Sequence, residues 1–340
     1  MANRNTVSNL APITPLVPAQ VGQRASTQAR NKKRTFIYAL TARATVDVSV
    51  APATSLRNRG SVWALVTRLF FTDNGTDKVQ LDGRMLRFIS DAQSNSDLRE
   101  VRADTPIATY ALEETAFLQL AWPYAARPME TAYIEQDVNQ TLEVSAVFNN
   151  DASRLFVVGP ATVAITDFTV SVQQIYDDQR DILPLFLPYY REILTPVASA
   201  SNDLPIYLRT NRQIAALAVQ QDTSDEGEVA DIINSLALRS DVRDYIGPGQ
   251  SPYRDLQQES QRTAGGITAD DIEAGYWYYN FTDSGHLSTM VRGVAEPNLR
   301  IEGDVQPSAL GANSVIRVAL LEMEQAVGLT VAEANRPFKD

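Results

Sequence analysis

The residues best suited to acid–base chemistry are neighbouring carboxylates: Glu113-Glu114, Asp270-Asp271 and the acids from Asp222 to Glu228. Two carboxyl groups flanking a glycosidic bond can hydrolyse it, one as acid and the other as base or nucleophile. Adjacent residues on a strand point to opposite faces, so such pairs also read as separate solvated charges. Oxygen ligands close enough to hold calcium across a turn occur at Asp73, Asn74 and Asp77 and at Asp222, Asp225 and Glu226. Neither set fits the twelve-residue EF-hand loop, and a hairpin turn or a helix start explains the same residues.

Composition removes most other chemistry. His286, in Ser284-Gly285-His286, is the sole histidine, and cysteine is absent. One chain therefore cannot build a two-histidine metal centre, a thiolate zinc site or a cysteine nucleophile, and Ser-His-Asp catalysis has no support. There is no Gly-x-x-x-x-Gly-Lys-Ser/Thr loop, and Gly247-Pro248-Gly249 is only a turn signal. The expectation is a protein without catalytic residues, cofactor or metal. Tyr276, Trp277, Tyr278, Tyr279 and Phe281 would make a carbohydrate platform if exposed, but alternation sends some of these rings into a core.

The elements that carry these residues are strands. Val46, Val48 and Val50 alternate with Thr45, Asp47 and Ser49, the period-two signature of a half-buried strand. The same pattern marks Trp63 to Phe71, Phe117 to Trp122 and Leu142 to Phe148, separated by turn-forming clusters such as Asp73-Asn74-Gly75-Thr76-Asp77. Val163 and Ile165, then Phe168, Val170 and Val172, describe a strand whose register shifts by one, as at a bulge. Pro184 and Pro188 cannot sit in a central strand, and they mark a junction.

The second half repeats this order. Ala64 to Phe71 with its turn is echoed by Ile214 to Val219 followed by Asp222 to Gly227. Leu81, Met85, Phe88 and Ile89 predict a short amphipathic helix, as do Val229, Ile232, Ile233 and Leu236 in the second copy. Phe117 to Trp122 is echoed by Tyr276 to Phe281, Leu142 to Phe148 by Leu299, Ile301 and Val305, and Thr162 to Val172 by Ser314 to Met323. The polar stretch from Ile246 to Asp271 reads as a long loop for a subunit contact or a surface projection.

A chain of 340 residues, 44% apolar, is long enough for two cores. Pro12, Pro15 and Pro18 interrupt the one apolar N-terminal stretch, so neither a signal peptide nor a membrane anchor is expected. Residues 1–34 hold Arg4, Arg24, Arg30, Lys32, Lys33 and Arg34 and no acid; without those cations, the net charge of −11 becomes −17 on the rest. A basic arm on an acidic body suggests one end turned toward an anionic partner. The expected organisation is a basic extended arm over 1–34, a first roll over 35–178, a linker over 179–188, a second roll over 189–328 and a tail over 329–340. The fold class is all-β: two tandem eight-stranded antiparallel jelly rolls with short helices in connecting loops.

A polar basic arm ahead of Arg34-Thr35-Phe36-Ile37, two copies of strand, turn, helix and strands, and a closing strand in each copy are the features on which this chain resembles a known family. It is similar to the double jelly-roll major capsid proteins of tailless, membrane-containing icosahedral viruses of bacteria and archaea. The resemblance implies two sandwiches standing side by side and homotrimers forming pseudo-hexagonal capsomers. It implies, too, partners limited to further copies and other capsid and vertex proteins, with termini facing an internal membrane and assembly in the host cytoplasm. In that setting Arg24, Arg30, Lys32, Lys33 and Arg34 would meet anionic lipid headgroups or a neighbouring subunit, without specific nucleic-acid recognition. Two other readings stay open: a carbohydrate-binding or glycan-hydrolysing double sandwich using Tyr276 to Phe281 with Glu113, Glu114 or Asp271, and a minor spike or vertex protein of a virion.

Overall fold

The fold was described from a computed structural model, which describes residues 6–14, 22–28, 34–49, 55–56, 61–94, 108–123, 133–134, 141–157, 163–177, 186–223, 232–252, 275–282, 289–305, 310 and 313–325. The first half runs through β1 (Thr6–Asn9), β2 (Arg24–Gln28), β3 (Arg34–Val48), β4 (Ser55–Leu56), β5 (Val66–Asp73), β6 (Thr76–Leu81), α1 (Gly83–Ser94), β7 (Thr109–Gln119), β8 (Tyr133–Ile134), β9 (Leu142–Phe148), β10 (Phe156–Val157) and β11 (Val163–Asp177). The second half follows with β12 (Phe186–Val197), β13 (Ser201–Tyr207), β14 (Gln213–Asp222), β15 (Ile233–Arg239), β16 (Asp244–Pro252), β17 (Tyr276–Asn280), β18 (Val291–Arg292), β19 (Arg300–Val305) and β20 (Ser314–Gln325).

Pairing sorts these strands into two rolls of identical order. In the first, β1-β11-β3-β7 forms one sheet and β2-β9-β5-β6 packs opposite it; in the second, β12-β20-β14-β17 packs opposite β13-β19-β15-β16. Numbering the eight principal strands of each roll in chain order gives 1-8-3-6 and 2-7-4-5 twice, which is the jelly-roll pattern. The expected double jelly roll is thus the observed fold.

Its boundaries differ from those expected. β1 pairs with β11 from Thr6–Tyr176 to Asn9–Gln173, and β2 pairs with β9 from Arg24–Val147 to Gln28–Glu143. The first roll therefore begins at Thr6 rather than at residue 35, and the supposed arm supplies two of its eight principal strands. Short polar edge strands such as Thr-Val-Ser-Asn bury little, so no alternation betrays them. The omission displaced the internal echo: by strand order the partner of β5 is β15, and β14 answers to β3. Ile233 and Leu236, expected in a helix, accordingly lie in β15, a strand between β19 and β16; Val229 lies outside the described residues. The loop expected from Ile246 begins as β16, with the part beyond Pro252 to residue 274 undescribed.

Other local expectations hold. The β5–β6 hairpin turns at Asn74 (φ 47°) and Gly75 (φ 78°), two positive φ values that asparagine and glycine tolerate. The ladder of β11 with β3 slips between Ile165 and Asp167, at the anticipated bulge. Pro188 is the exception, since it sits in β12 opposite Met323. β6 reaches β12 only at Tyr190 and Arg191, so the proline lies where β12 has a single ladder neighbour.

That short parallel pairing of β6 with β12 joins a sheet of each roll into one nine-stranded sheet. The core follows suit. One apolar cluster fills the first roll and continues through Tyr190, Ala216, Ala218, Tyr278 and Leu321 of the second, while Leu217, Val219, Trp277 and Leu320 belong to the second roll's own cluster. β14 is buried on both faces, which explains its unbroken Ile-Ala-Ala-Leu-Ala-Val run. Small Ala216 and Ala218 on one face leave room for α1.

Candidate functional site

Helix α1 is the element that brings the rolls together. Asp82 caps it, its Oδ1 accepting from the Arg84 N–H at 2.9 Å. Gly83 opens it under constraint, because a Cβ there would lie 2.4 Å from the Trp63 carbonyl oxygen. Phe88 on α1 packs against Tyr276 (ring centroids 4.7 Å apart) and edge-on to Tyr278 (6.5 Å). Alternation along β17 sends Trp277 the other way, into the second roll's core. Tyr276, Trp277 and Tyr278 are thus sandwiched, at most 4% exposed, and lost to a sugar-binding platform, while Tyr279 and Phe281 are half-buried against the second roll's core.

Charged side chains from both rolls converge at the start of α1. Arg84 reaches Asp222 at 3.0 Å and Asp82 at 3.4 Å. Arg317 on β20 reaches Glu192 at 2.9 Å and Asp222 at 3.1 Å, and Glu192 on β12 accepts from the Asp82 N–H at 2.7 Å. Arg154 approaches Asp82 at 4.0 Å, and Gln220 donates to Asp222 at 2.8 Å. Three arginines thus face three carboxylates, Asp82, Arg84 and Arg154 from the first roll and Glu192, Asp222 and Arg317 from the second. Asp82 and Asp222 are essentially buried.

Burial and charge act in opposite directions on this cluster. Burial alone would raise the Asp82 carboxyl, but Arg84, Arg317 and Arg154 outweigh it and hold the group below its ordinary value. Glu192 goes the other way: burial and then the nearby Asp82 charge push it up, with Arg317 compensating only in part. Arg84 and Arg317 are held charged, the carboxylates overriding the burial penalty. Such a network is a structural clamp, costly to break in half. Beside it the Trp122 indole donates to Thr282 Oγ1 at 2.6 Å, and the Tyr190 hydroxyl donates to the Gln119 carbonyl at 2.8 Å, both across the seam.

Among the described residues, Glu113 and Glu114 do not form a hydrolytic pair. Glu114 turns inward, taking Arg87 at 2.6 Å and the Ser61 hydroxyl at 2.5 Å, while Glu113 points out beside its ladder partner Arg43. Asp222 belongs to the clamp; Asp225, Glu226, Asp270, Asp271 and His286 lie outside the described residues. Asp77, a candidate calcium ligand, instead accepts from Thr72 at 2.7 Å and Arg24 at 3.2 Å. Among the described residues no group of three or more metal-ligating side chains is assembled.

Of the five basic residues proposed to meet a membrane or a neighbour, Arg24 lies in β2. It donates to Ser145 and Thr72 at 2.6 Å each and stacks over Phe70 at 4.3 Å, so this cation serves the first roll's own sheet. Arg34 starts β3 opposite Asp177, and Arg30, Lys32 and Lys33 lie outside the described residues. Sequence reasoning missed the clamp because its members come from five elements and loops far apart in the chain. The only local trace is charge inside apolar strands, as at Glu192 and at Arg317 in Val-Ile-Arg-Val-Ala-Leu-Leu.

A chain of two jelly rolls with identical strand order, fused by a shared sheet and core, is a double jelly roll. Solved structures with this fold match it from end to end. The atomic structure of Sulfolobus Turreted Icosahedral Virus aligns with a TM-score of 0.71 at 12% identity, covering 97% of this chain and 95% of that one. The major capsid protein P2 from bacteriophage PM2 aligns at 0.60 and 11%, over 96% and 100%. The PBCV-1 virus capsid aligns at 0.64 and 12%, over 95% and 94%. No protein-family profile and no curated protein sequence matches the chain.

Proposed function

We propose that this chain is the major capsid protein of an icosahedral virus, a non-catalytic shell component that forms pseudo-hexagonal homotrimers and then a lattice. The observation that carries the reading is the fused pair of identical rolls, matched over nearly its whole length to proteins of viral shells. Two rolls per chain give six per trimer, a shape suited to hexagonal packing. The matched chains differ in sequence almost everywhere, so the reading rests on architecture. The carbohydrate-active alternative loses Tyr276, Trp277 and Tyr278 to the core and its Glu113-Glu114 pair to opposite faces.

Light scattering coupled to gel filtration, followed by electron microscopy of the peak, tests this. A species of three chain masses with a hexagonal outline is expected; a monomer at high concentration overturns the reading. Other capsid and vertex proteins would be its partners, in a particle assembled in the host cytoplasm.

An internal membrane under the shell is part of the same proposal. Arg30, Lys32 and Lys33 directly precede Arg34 in the sequence, and Arg34 opens β3 opposite Asp177, the last residue of β11. Each cation at an anionic lipid surface contributes about 1 kcal/mol. Changing all four to glutamine should cut binding to phosphatidylserine-containing vesicles by well over tenfold; unchanged binding refutes the lipid contact.

A further inference from the structure

The seam inside the chain joins the fifth principal strand of one roll to the first of the next. β6 runs parallel to β12, with Val79 beside Tyr190 and Gln80 beside Arg191. Because both rolls share one strand order, the chain carries the same two edges a second time, without a partner strand among the described residues. β1, the first strand of the first roll, ends the five-stranded sheet, and β16, the fifth strand of the second roll, ends the four-stranded sheet. We infer that β16 of one copy pairs in parallel with β1 of the next, repeating the internal seam between chains so that three copies close head to tail. The inference rests on the capsid reading and names the contact surface that reading requires.

The β1 edge is suited to such pairing. Leu10 donates to the Val172 carbonyl at 2.9 Å, and the β1–β11 register is continuous with this bond. In an antiparallel ladder bonding positions alternate, so Thr6 and Ser8 face β11 while the N–H groups of Val7 and Asn9 point outward. Thr6-Val7-Ser8-Asn9 contains no charge or proline of the kind that guards free edges. Val7 is 57% exposed. β16 leaves its ladder with β15 between Ile246 and Ser251; Pro248 there, the counterpart of Gln80, has no N–H to donate, so the donors of the pairing come from Gly247 and the residues before it.

Counting along the repeats gives the register. Tyr190 faces Leu321, four residues before β20 ends at Gln325; Asn9 faces Gln173, four residues before β11 ends at Asp177. Val79 lies three residues into β6 from Thr76, as Gly247 does into β16 from Asp244. Asn9 and Gly247 are therefore the counterparts of Tyr190 and Val79. A head-to-tail contact of this kind closes as a ring or runs on as a filament.

The chain's lack of cysteine allows a clean test. The double variant Asn9→Cys, Gly247→Cys is treated with a short bis-maleimide, beside light scattering of the same sample. Covalent species of two and three chains, and none larger, are expected. A trimer in scattering without cross-linked chains overturns the inference and leaves the capsid reading standing, whereas a monomer in scattering overturns the capsid reading itself. A ladder beyond three chains overturns closure. The variant Asn9→Pro removes an outward donor without touching the β11 ladder, so the concentration at half assembly should rise about tenfold or more with monomer unfolding unchanged. Undiminished assembly of this variant counts against the pairing.

Discussion

Two charge clusters of similar make-up lie in different surroundings, and the contrast shows where this chain is sensitive. At the seam, Asp82, Arg84, Arg154, Glu192, Asp222 and Arg317 are shut in between the rolls. On the outer sheet of the second roll, Arg239 pairs with Asp244 at 3.2 Å and Glu302 at 3.1 Å, and Arg300 with Glu302 at 2.7 Å and Asp241 at 3.3 Å. The distances are alike, but of the acids on the outer sheet only Glu302 is buried, whereas Asp241 and Asp244 stand in water, where exposed pairs contribute about 0–1 kcal/mol. At the seam the gain of the pairs is set against desolvation, so their net worth is modest while the loss of one member is expensive. The outer ladder decorates a surface; the inner cluster specifies how one roll sits on the other.

The largest test of that contrast is Arg84→Met. It leaves Asp82 and Asp222 buried with fewer cations and should cost about 3–5 kcal/mol, read as a lower urea midpoint. Asp82→Asn should also destabilise strongly, whereas Glu192→Gln should cost under about 1 kcal/mol. The difference comes from the opposed shifts: the ionised form is favoured at Asp82 and disfavoured at Glu192. Equal losses in the two variants would show that position, not charge, governs the clamp.

Acid titration sharpens the same point. Because the Asp82 carboxyl is depressed in the folded chain, its contribution is present above its unfolded value near 3.9 and lost as pH falls through the lower folded value. Glu192 has the reverse sign: its contribution is present below its unfolded value and lost as pH rises through its raised folded value. Denaturation midpoints measured between pH 3 and pH 7 should thus fall less steeply toward acid in wild type than in Glu192→Gln, which lacks that offset.

Smaller still is Trp122→Phe, which removes the buried bond to Thr282 and should cost about 1–3 kcal/mol by thermal unfolding. Smallest is Arg300→Gln on the outer ladder, expected within about 1 kcal/mol and shrinking with added salt. A larger loss there would dissolve the distinction between the two clusters.

The long buried strands were legible because alternation is a local consequence of one face meeting a core; Leu142–Phe148 and the slip after Ile165 could be read from side chains alone. α1 was readable from Met85, Phe88 and Ile89, while Leu81, expected in the same helix, is the last residue of β6. β1 and β2 were not, because a short edge strand is held by backbone bonds to β11 and β9, which leave no mark on residue type. The run from Ile232 to Leu236 was ambiguous for a related reason, since a brief apolar stretch satisfies helical and strand spacing alike. Of the candidate site residues, the sequence exposed the basic cluster but not the fate of Arg24, whose partners Thr72, Asp77 and Ser145 lie on three other strands or turns.

By itself, then, the sequence determined the all-β class, the two-fold repetition, the lack of cysteine and of a second histidine, and the charge contrast between residues 1–34 and the rest, each following from composition or short-range periodicity. Only the tertiary structure decided where the first roll begins, which strands correspond between rolls and which acids and arginines meet at the seam. Those outcomes depend on ladder pairing and on burial between distant segments, and neither is encoded in the spacing of neighbouring residues.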